Sequence, residues 1–397
     1  MTASRILLAG LVSLLGASLL PAPTAQAADD WSVPAHATIT VKGRGYGHGH
    51  GMSQYGAEGA ARDGLTYKQI VKFYYPGTSW GTARGGVKVL ISADTSKDVV
   101  VLARPGLRLR KVGTGKSWDL SGVRPKATRW RIKPVSGGRS EISYRTTGWH
   151  LWKSLDENAE FKGRGAVSLV LPGGAVNAYR GALRSARRDT VNILPLDRYL
   201  QGVVPLEVPA LWHEQAVRAQ AVAARTYAAY ERAHPIAAHY QICDTTSCQV
   251  YGGKDAEHPA SNAAVRATAG RVLTYAGAAA FTQFSSSNGG WAAAGSAPYL
   301  VAKKDPYDGW SGNPNHRWTT TLTDRAVEKA WPAIGNLTGI RFSGRDGHGQ
   351  WGGRVGTVRL TGGKGTLTIS GDDFRFGLGL RSEWINLAVA AARFSRR

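Results

Sequence analysis

Cysteine and methionine are scarce in this chain, at two each among 397 residues. Two cysteines exclude a small disulfide-stapled scaffold, in which bridges stand in for a core. Acidic residues are also few: 27 Asp and Glu face 50 Lys and Arg, a formal net charge of +23. A protein this basic favours an anionic partner. Charged residues make up only 19% and hydrophobic residues 43%, which excludes a wholly disordered polycation. No internal period of 20–50 residues is present, so a repeat architecture is excluded. The chain also lacks a Gly-Lys-Ser/Thr phosphate loop, and no G-x-S-x-G elbow sits at a strand-to-helix turn. What it does have is 50 glycines and 13 tryptophans, on a length that fits two or three domains.

The first residues narrow the choice of anion. Arg5 precedes an uncharged run, Ile6 to Leu20, then Pro21 and Pro23, then Ala25-Gln26-Ala27. This is the pattern of a bacterial Sec-type signal peptide over 1–27, too short for a comfortable membrane span. The plain alternative is an uncleaved anchor. No later stretch is apolar enough to span a bilayer, so no transmembrane helix is expected after cleavage. The expectation is a secreted, wall-associated protein that meets wall polymers, lipid headgroups and glycans, and no nucleic acid.

Patterning then divides the chain. In 38–52 every second residue from Gly43 to Gly51 is glycine. As a strand, this segment would point Arg44, Tyr46, His48, His50 and Met52 one way and leave bare backbone on the other face. A helix is expected from Ser53 to Asp63, stopped by Gly64. A second starts at Thr66 with a Thr66/Gln69 capping box and ends at Pro76-Gly77. Together 38–80 forms an N-terminal contribution to a core domain. Residues 85–178 read as strands and turns, a β-rich insertion or subdomain. Residues 179–300 contain a short turn or helix at Asp197–Val204 and a long alanine-rich helix, His213 to Arg232, with Val217, Ala221, Ala224 and Ala228 as its packing stripe. Residues 301–397 read as a C-terminal α+β extension. The fold class is α+β: a mixed helical and β-rich catalytic unit with a β-rich insertion and a cleft between lobes.

Glu207 stands out chemically. It is the only ionisable residue in Val203-Val204-Pro205-Leu206-Glu207-Val208-Pro209-Ala210-Leu211-Trp212. Desolvation there raises a carboxyl pKa and makes a general acid. The bland alternative is a carboxylate favoured by the dipole of the following helix. On that helix Gln220 and Tyr227 share a face. Arg218, Arg225 and Arg232, spaced by seven, read as a solvated face. Cys243 and Cys248 fit a disulfide in an exported protein, or a zinc site with His239 or His234. His48 and His50 suit a ligand or a neighbouring strand better than a metal. Ser285-Ser286-Ser287-Asn288-Gly289-Gly290 reads as a hydroxyl-rich loop, useful beside a sugar site.

Several stretches together resemble one family, the stage II sporulation protein D domain, related to the amidase-enhancer modifiers of bacterial autolysins. They are Tyr179-Arg180-Gly181, the run Asn192 to Pro209, the run Ala219 to Ala228, Cys243-Asp244-Thr245-Thr246 with Cys248-Gln249-Val250-Tyr251-Gly252, and Ser285 to Gly290. Gly45 to Ala57 and Tyr74-Tyr75-Pro76-Gly77 also look like its hallmarks. The resemblance covers about half the chain. One departure stands out: in the pattern members the Gly-His-Gly segment lies near the C-terminus, whereas here it comes first, as in a circular permutation.

The resemblance implies a peptidoglycan-directed protein similar to lytic transglycosylases that cut MurNAc-GlcNAc strands, preferably peptide-free, to 1,6-anhydro-MurNAc ends. It implies Glu207 as the acid/base, with Gln220, Arg225, Tyr227, Ser286, Ser287, His48, His50 and Gln54 as substrate-binding candidates. No cofactor is expected, with zinc at His239, Cys243 and Cys248 as the alternative carried by some members. Partners are glycan strands, anionic wall polymers and a wall amidase. Two functions follow: a lytic transglycosylase, or a non-catalytic wall binder that enhances or recruits an N-acetylmuramoyl-L-alanine amidase. A zinc amidase at the cysteine stretch is a third.

Overall fold

In the computed structural model the described residues are 29–391. The expected signal peptide, 1–27, lies outside them. Among the described residues no helix is long and apolar enough to cross a membrane. The fold is α+β; strands outnumber helices among the described residues, except over Leu196–Ala267, which is mainly helical.

The centre is the helix Glu214–Ala233. Alanine and valine fill its buried positions, and Val217, Ala221, Ala224 and Ala228 all face the core as their spacing requires. Small side chains let neighbours approach closely. The helices Gln54–Arg62 and Tyr67–Tyr74 pack on its other side, through Ala57, Ala60, Ile70 and Val71 against Ala216, Ala219, Val222 and Ala223. Both start where their caps predict. Ser53 accepts from the Gly56 N–H, and Thr66 and Gln69 form the reciprocal capping box.

A seven-stranded sheet lies against this helical layer, and a six-stranded sheet packs on the seven-stranded one. The seven-stranded sheet runs in the order Ile242–Cys243, Gly86–Leu90, Asp189–Pro195, Ala182–Ala186, Ala159–Gly163, Leu107–Lys111, Ser117–Asp119. The six-stranded sheet runs Trp149–Leu155, Arg139–Arg145, Arg129–Val135, Val99–Leu102, Val167–Val170, Val176–Tyr179. The first crosses residue 179 freely, since Phe161 pairs with Leu183 and Val87 with Leu194. Its side chains share one core with the helices: Val89, Leu109, Phe161 and Leu183 meet Tyr199, Val204 and Val217. Residues 85–178 are thus built into the same core as the helices that follow them. Burying each such Val or Leu contributes roughly 1.5–3 kcal/mol.

The C-terminal region has a core of its own, including Ile39, Val41, Ile340, Phe342 and Phe374. Part of that core is N-terminal in sequence. Ala37–Gly43 lies between Trp318–Thr323 and Ile385–Ala391, antiparallel to both, and Asp29–Ser32 pairs with Leu337–Ser343. The chain therefore folds back on itself, so that a segment met first in sequence sits beside one met last.

The continuous strand expected over 38–52 stops at Gly43. Gly45, Gly47, Gly49 and Gly51 all have positive φ, from 66° to 100°. Each left-handed residue turns the chain, so strand alternation is lost and the intervening side chains do not share a face. Arg44 is buried against Trp384 and bonds His316, whereas Tyr46 is exposed. Glycine is obligatory here for space as well as for φ. A Cβ on Gly51 would sit 2.0 Å from the Gln283 carbonyl oxygen.

Candidate functional site

The chain Val203–Pro209 makes one short helical turn, Val204–Glu207, with Pro205 in its first turn. Val204 and Val208 anchor it in the core, while Leu206 remains half exposed. The turn ends at Glu207 and presents its carboxyl group to a cleft of about 600 Å³. The Val250 N–H donates to Glu207 Oε1 at 3.0 Å and the Gln54 amide to Oε2 at 3.2 Å. Burial pushes the carboxyl pKa upward, and these two donors oppose it, with the net shift upward. Among the described residues Glu207 is the only carboxyl group lining the cleft.

The remaining walls come from four distant segments. The glycine-rich loop supplies Tyr46, Gly47 and His48, and the first helix supplies Gln54. Met52–Ser53 pairs in parallel with Phe284–Ser285, which brings Gln283, Phe284, Ser285 and Ser286 alongside. Thr246, Ser247, Cys248 and Val250 form a further wall. The helix Gly371–Gly377 closes it with Arg375 and Phe376. Tyr227 reaches the cleft from the long helix, its ring stacked on Phe281.

His48 is held neutral. Its pKa is lowered to about 3, chiefly by burial, then by His50, Arg375 and Arg354. Its Nδ1 accepts the His50 backbone N–H at 3.0 Å. It thus meets a ligand as a neutral imidazole, unsuited to proton donation as a cation near neutral pH.

Behind the serine loop lies a buried carboxylate pair. Asp308 accepts from Ser53, Ser287 and the Asn288 N–H, and pairs with His316 at 2.8 Å. Asp305 accepts from Tyr74 and Asn288 at 2.7 Å each, and burial beside Asp308 raises it to about 6. This network fixes the loop that carries Ser285 and Ser286.

Of the residues expected from sequence, Glu207, Gln54, His48, Tyr227 and Ser286 are brought together in the cleft. Ser287 is fully buried one layer back, its hydroxyl committed to Asp308. His50 stacks behind His48 at 4.9 Å and does not line the cleft. Gln220 is fully buried outside the lining, with neither amide atom hydrogen-bonded. Arg225 requires a correction. It is neither substrate-facing nor solvated: it is fully buried and bonds Asp197, Thr268 and the carbonyls of Val265 and Arg271. Its role is a brace between segments. Sequence reasoning passed over Arg375, Phe376, Gln283, Thr246 and Ser247. Phe376, Thr246 and Ser247 are exposed, and exposure is not a sequence property.

Cys243 and Cys248 are joined in a disulfide, Cα to Cα 5.5 Å, and their loop supplies the Thr246–Cys248 wall. With both sulfurs bonded to each other, no thiolate faces His239, whose Nε2 pairs with Asp189 at 2.6 Å. Among the described residues no three His, Cys, Asp or Glu side chains are grouped to hold a metal. The cysteine stretch as folded here does not fit zinc.

Comparison with known proteins follows the same segments. Residues 184–275, from the strand before Glu207 through the disulfide loop, match the family model described as Stage II sporulation protein. This segment is similar to the stage II sporulation protein D family. It is similar to the amidase enhancer of Bacillus subtilis, 41% identical over 135 residues, or 32% of this chain and 17% of that protein. It is similar to stage II sporulation protein D of Bacillus subtilis, 29% identical over 252 residues, covering 56% of this chain and 68% of the relative. The Bacillus amyloliquefaciens protein of that name is 31% identical over 231 residues, covering 51% and 63%. The chain thus spans under a fifth of the amidase enhancer's length and about two thirds of the sporulation proteins'. The matched residues, 184–275, hold Glu207 and the disulfide loop, whereas His48, Gln54, Ser286, Arg375 and Phe376 reach the cleft from outside them.

Proposed function

We propose that this protein acts on the bacterial cell wall and cleaves its glycan strands as a lytic transglycosylase. The single observation that carries the proposal is the desolvated carboxyl group of Glu207, the one carboxyl group among the described residues of a cleft that hydroxyls, amides, aromatic rings and the Arg375 cation also line. Rings and hydroxyls suit sugars, which present both apolar faces and polar edges. A hydrolase of the common type needs two carboxyl groups, one of them to handle water or form a covalent intermediate. One suffices when the nucleophile belongs to the substrate.

In the proposed reaction protonated Glu207 gives its proton to the glycosidic oxygen between MurNAc and GlcNAc as the bond to MurNAc C1 breaks. The carboxylate then takes the proton of the C6 hydroxyl of the same MurNAc. That oxygen bonds to C1, leaving a 1,6-anhydro end and a reprotonated Glu207. The Val250 N–H and Gln54 amide stabilise the carboxylate between the two transfers. The seventeen Lys and Arg against seven Asp and Glu in 85–178 give a basic flank that holds anionic wall polymers. Export through the 1–27 signal peptide would place the protein where those polymers are.

The test is incubation with peptide-free glycan strands and mass analysis of the products. Anhydro-MurNAc ends that form with the native protein and fall at least about 1000-fold in Glu207→Gln are expected. Unchanged strands together with tight wall binding would sink the enzyme. They would favour a second function, a wall-binding enhancer of an amidase, which the 41% identity to the amidase enhancer supports.

A further inference from the structure

The cleft contains a cation that the proposed reaction does not use. Arg375 sits on the helix Gly371–Gly377, whose start is fixed by a Ser370/Asp373 capping box. This helix belongs to the C-terminal region, outside residues 184–275. Arg375 is 8% exposed and lines the cleft. Its guanidinium makes no hydrogen bond to another described residue; the buried Nε is met only as an ion pair. Two carboxylates balance its charge at ion-pair distance, Asp372 at 3.2 Å from Nε and Glu383 at 3.8 Å from Nη1. A guanidinium carries five N–H donors in a rigid fork. The four Nη N–H donors have no hydrogen-bond acceptor among the described residues and stay available to a ligand that enters the cleft. The guanidinium lies over the Phe376 ring, 4.2 Å from its centroid, and Phe376 is 69% exposed at the same wall. An exposed ring beside a fork whose Nη donors lack a hydrogen-bond acceptor among the described residues matches a sugar that carries an anion.

We propose that Arg375 and Phe376 form a carboxylate subsite that takes the free lactyl group of a MurNAc residue, with Phe376 against the sugar face. This rests on the glycan-cleft function above. In a peptide-bearing strand the lactyl carboxyl is an amide and has no charge. After peptide removal it is a carboxylate, the planar two-oxygen acceptor that an arginine fork fits. The subsite would therefore select peptide-free strands.

The experiment measures binding alone, in the Glu207→Gln background so that turnover plays no part. Titration calorimetry compares peptide-free GlcNAc-MurNAc strands, the same strands methyl-esterified at the lactyl carboxyl, peptide-bearing strands, and N-acetylchitotetraose, which has no lactyl group. Adding Arg375→Gln is expected to weaken binding of peptide-free strands about 10- to 100-fold and to leave chitotetraose within twofold. Esterification should produce the same loss in the Arg375 protein and no further loss in the variant. Equal loss for both ligands, or no loss for either, overturns the subsite. Peptide-bearing strands bound as tightly as peptide-free ones, with the same Arg375 dependence, also overturn it, by assigning the carboxylate to the stem peptide. If Arg375→Gln does not fold, as judged by circular dichroism, the esterified strand on the Arg375 protein decides alone. Binding with this pattern but without cleavage by the native protein leaves the subsite standing while the transglycosylase falls. Failure to bind any glycan removes both.

Discussion

Replacing Arg225 by Met should lower stability and leave the cleft as it is. Arg225 is fully buried on the long central helix. Its Nε donates to Asp197 at 2.7 Å, Nη2 to the Val265 carbonyl at 3.1 Å, and Nη1 to Thr268 and the Arg271 carbonyl at 3.3 Å each. One side chain thus ties the helix Leu196–Gln201 to Pro259–Ala267 and to the start of the strand Arg271–Tyr275. Methionine replaces the aliphatic stem and none of the donors. The Asp197 carboxylate is 43% exposed, turns to water, and contributes little to the loss. The buried acceptors cost about 1–3 kcal/mol each when left unmet, so the total should be about 3–5 kcal/mol. At roughly 2.1 cal/mol/K per residue, a chain of this size should melt about 5 °C lower if it unfolds as one unit. Scanning calorimetry measures that shift, and calorimetric binding of peptide-free strands at 20 °C in the Glu207→Gln background measures the cleft. Arg225→Lys should recover only part of the stability, because a point charge cannot reproduce the fork. An unchanged melting temperature with weakened strand binding would refute the assignment and make Arg225 a substrate contact after all.

Two further outcomes test the glycine-rich loop. Burial holds the His48 pKa at about 3, against an ordinary value of 6.5. Its contribution is therefore complete above pH 6.5 and is lost as pH falls toward 3. The full interval corresponds to about 5 kcal/mol, and solvent in the cleft should reduce this to about half. His48→Gln should flatten the pH dependence of the urea midpoint between pH 6.5 and 4, and an unchanged slope would count against its burial as a neutral ring. Gly51→Ala and Gly64→Ala form a matched pair, with φ of 66° and 87°. Both force an alanine into the left-handed region at about 1 kcal/mol, but only at Gly51 does the new Cβ meet backbone, the Gln283 oxygen at 2.0 Å. Urea unfolding should show Gly51→Ala losing at least about 2 kcal/mol more than Gly64→Ala, and equal losses would refute the close approach.

Local signals were the legible part of this chain. The capped helices at 54–62 and 67–74 and the long alanine helix were readable because caps and periodicity act over a few residues. Glu207 was readable because its apolar neighbours are adjacent in sequence. Its two hydrogen-bond partners, Gln54 and Val250, are 153 and 43 residues away. Alternating glycines suggested a strand because composition does not report φ, and four left-handed residues made a loop instead. Arg225 resembled its neighbours at 218 and 232 because seven-residue spacing gives a shared face but not its burial. Arg375 and Phe376 carried no local pattern, since their place is set by how the C-terminal core docks.

That docking also accounts for the order of the motifs. The cleft needs the His48 loop beside Phe284–Ser286, and a two-residue parallel pairing, Met52–Ser53 with Phe284–Ser285, supplies it. Nothing in that contact depends on which segment is made first. What it requires is that the early segment be held in place, and the strand Ala37–Gly43 does this from within the C-terminal sheet, with Gly43 opposite Ile385 and Ala37 opposite Ala391. The N-terminal and C-terminal ends of the described chain are thus hydrogen-bonded neighbours. A segment found near the C-terminus in the family pattern can then come first in the chain while its loop stays at the cleft. The same pairing explains why the C-terminal region, which has little of the family's sequence character, reaches the site at all. The sheet that anchors the glycine loop shares its core with the helix bearing Arg375 and Phe376. Evolution of the cleft's specificity can therefore proceed on that helix without disturbing the carboxyl group at Glu207.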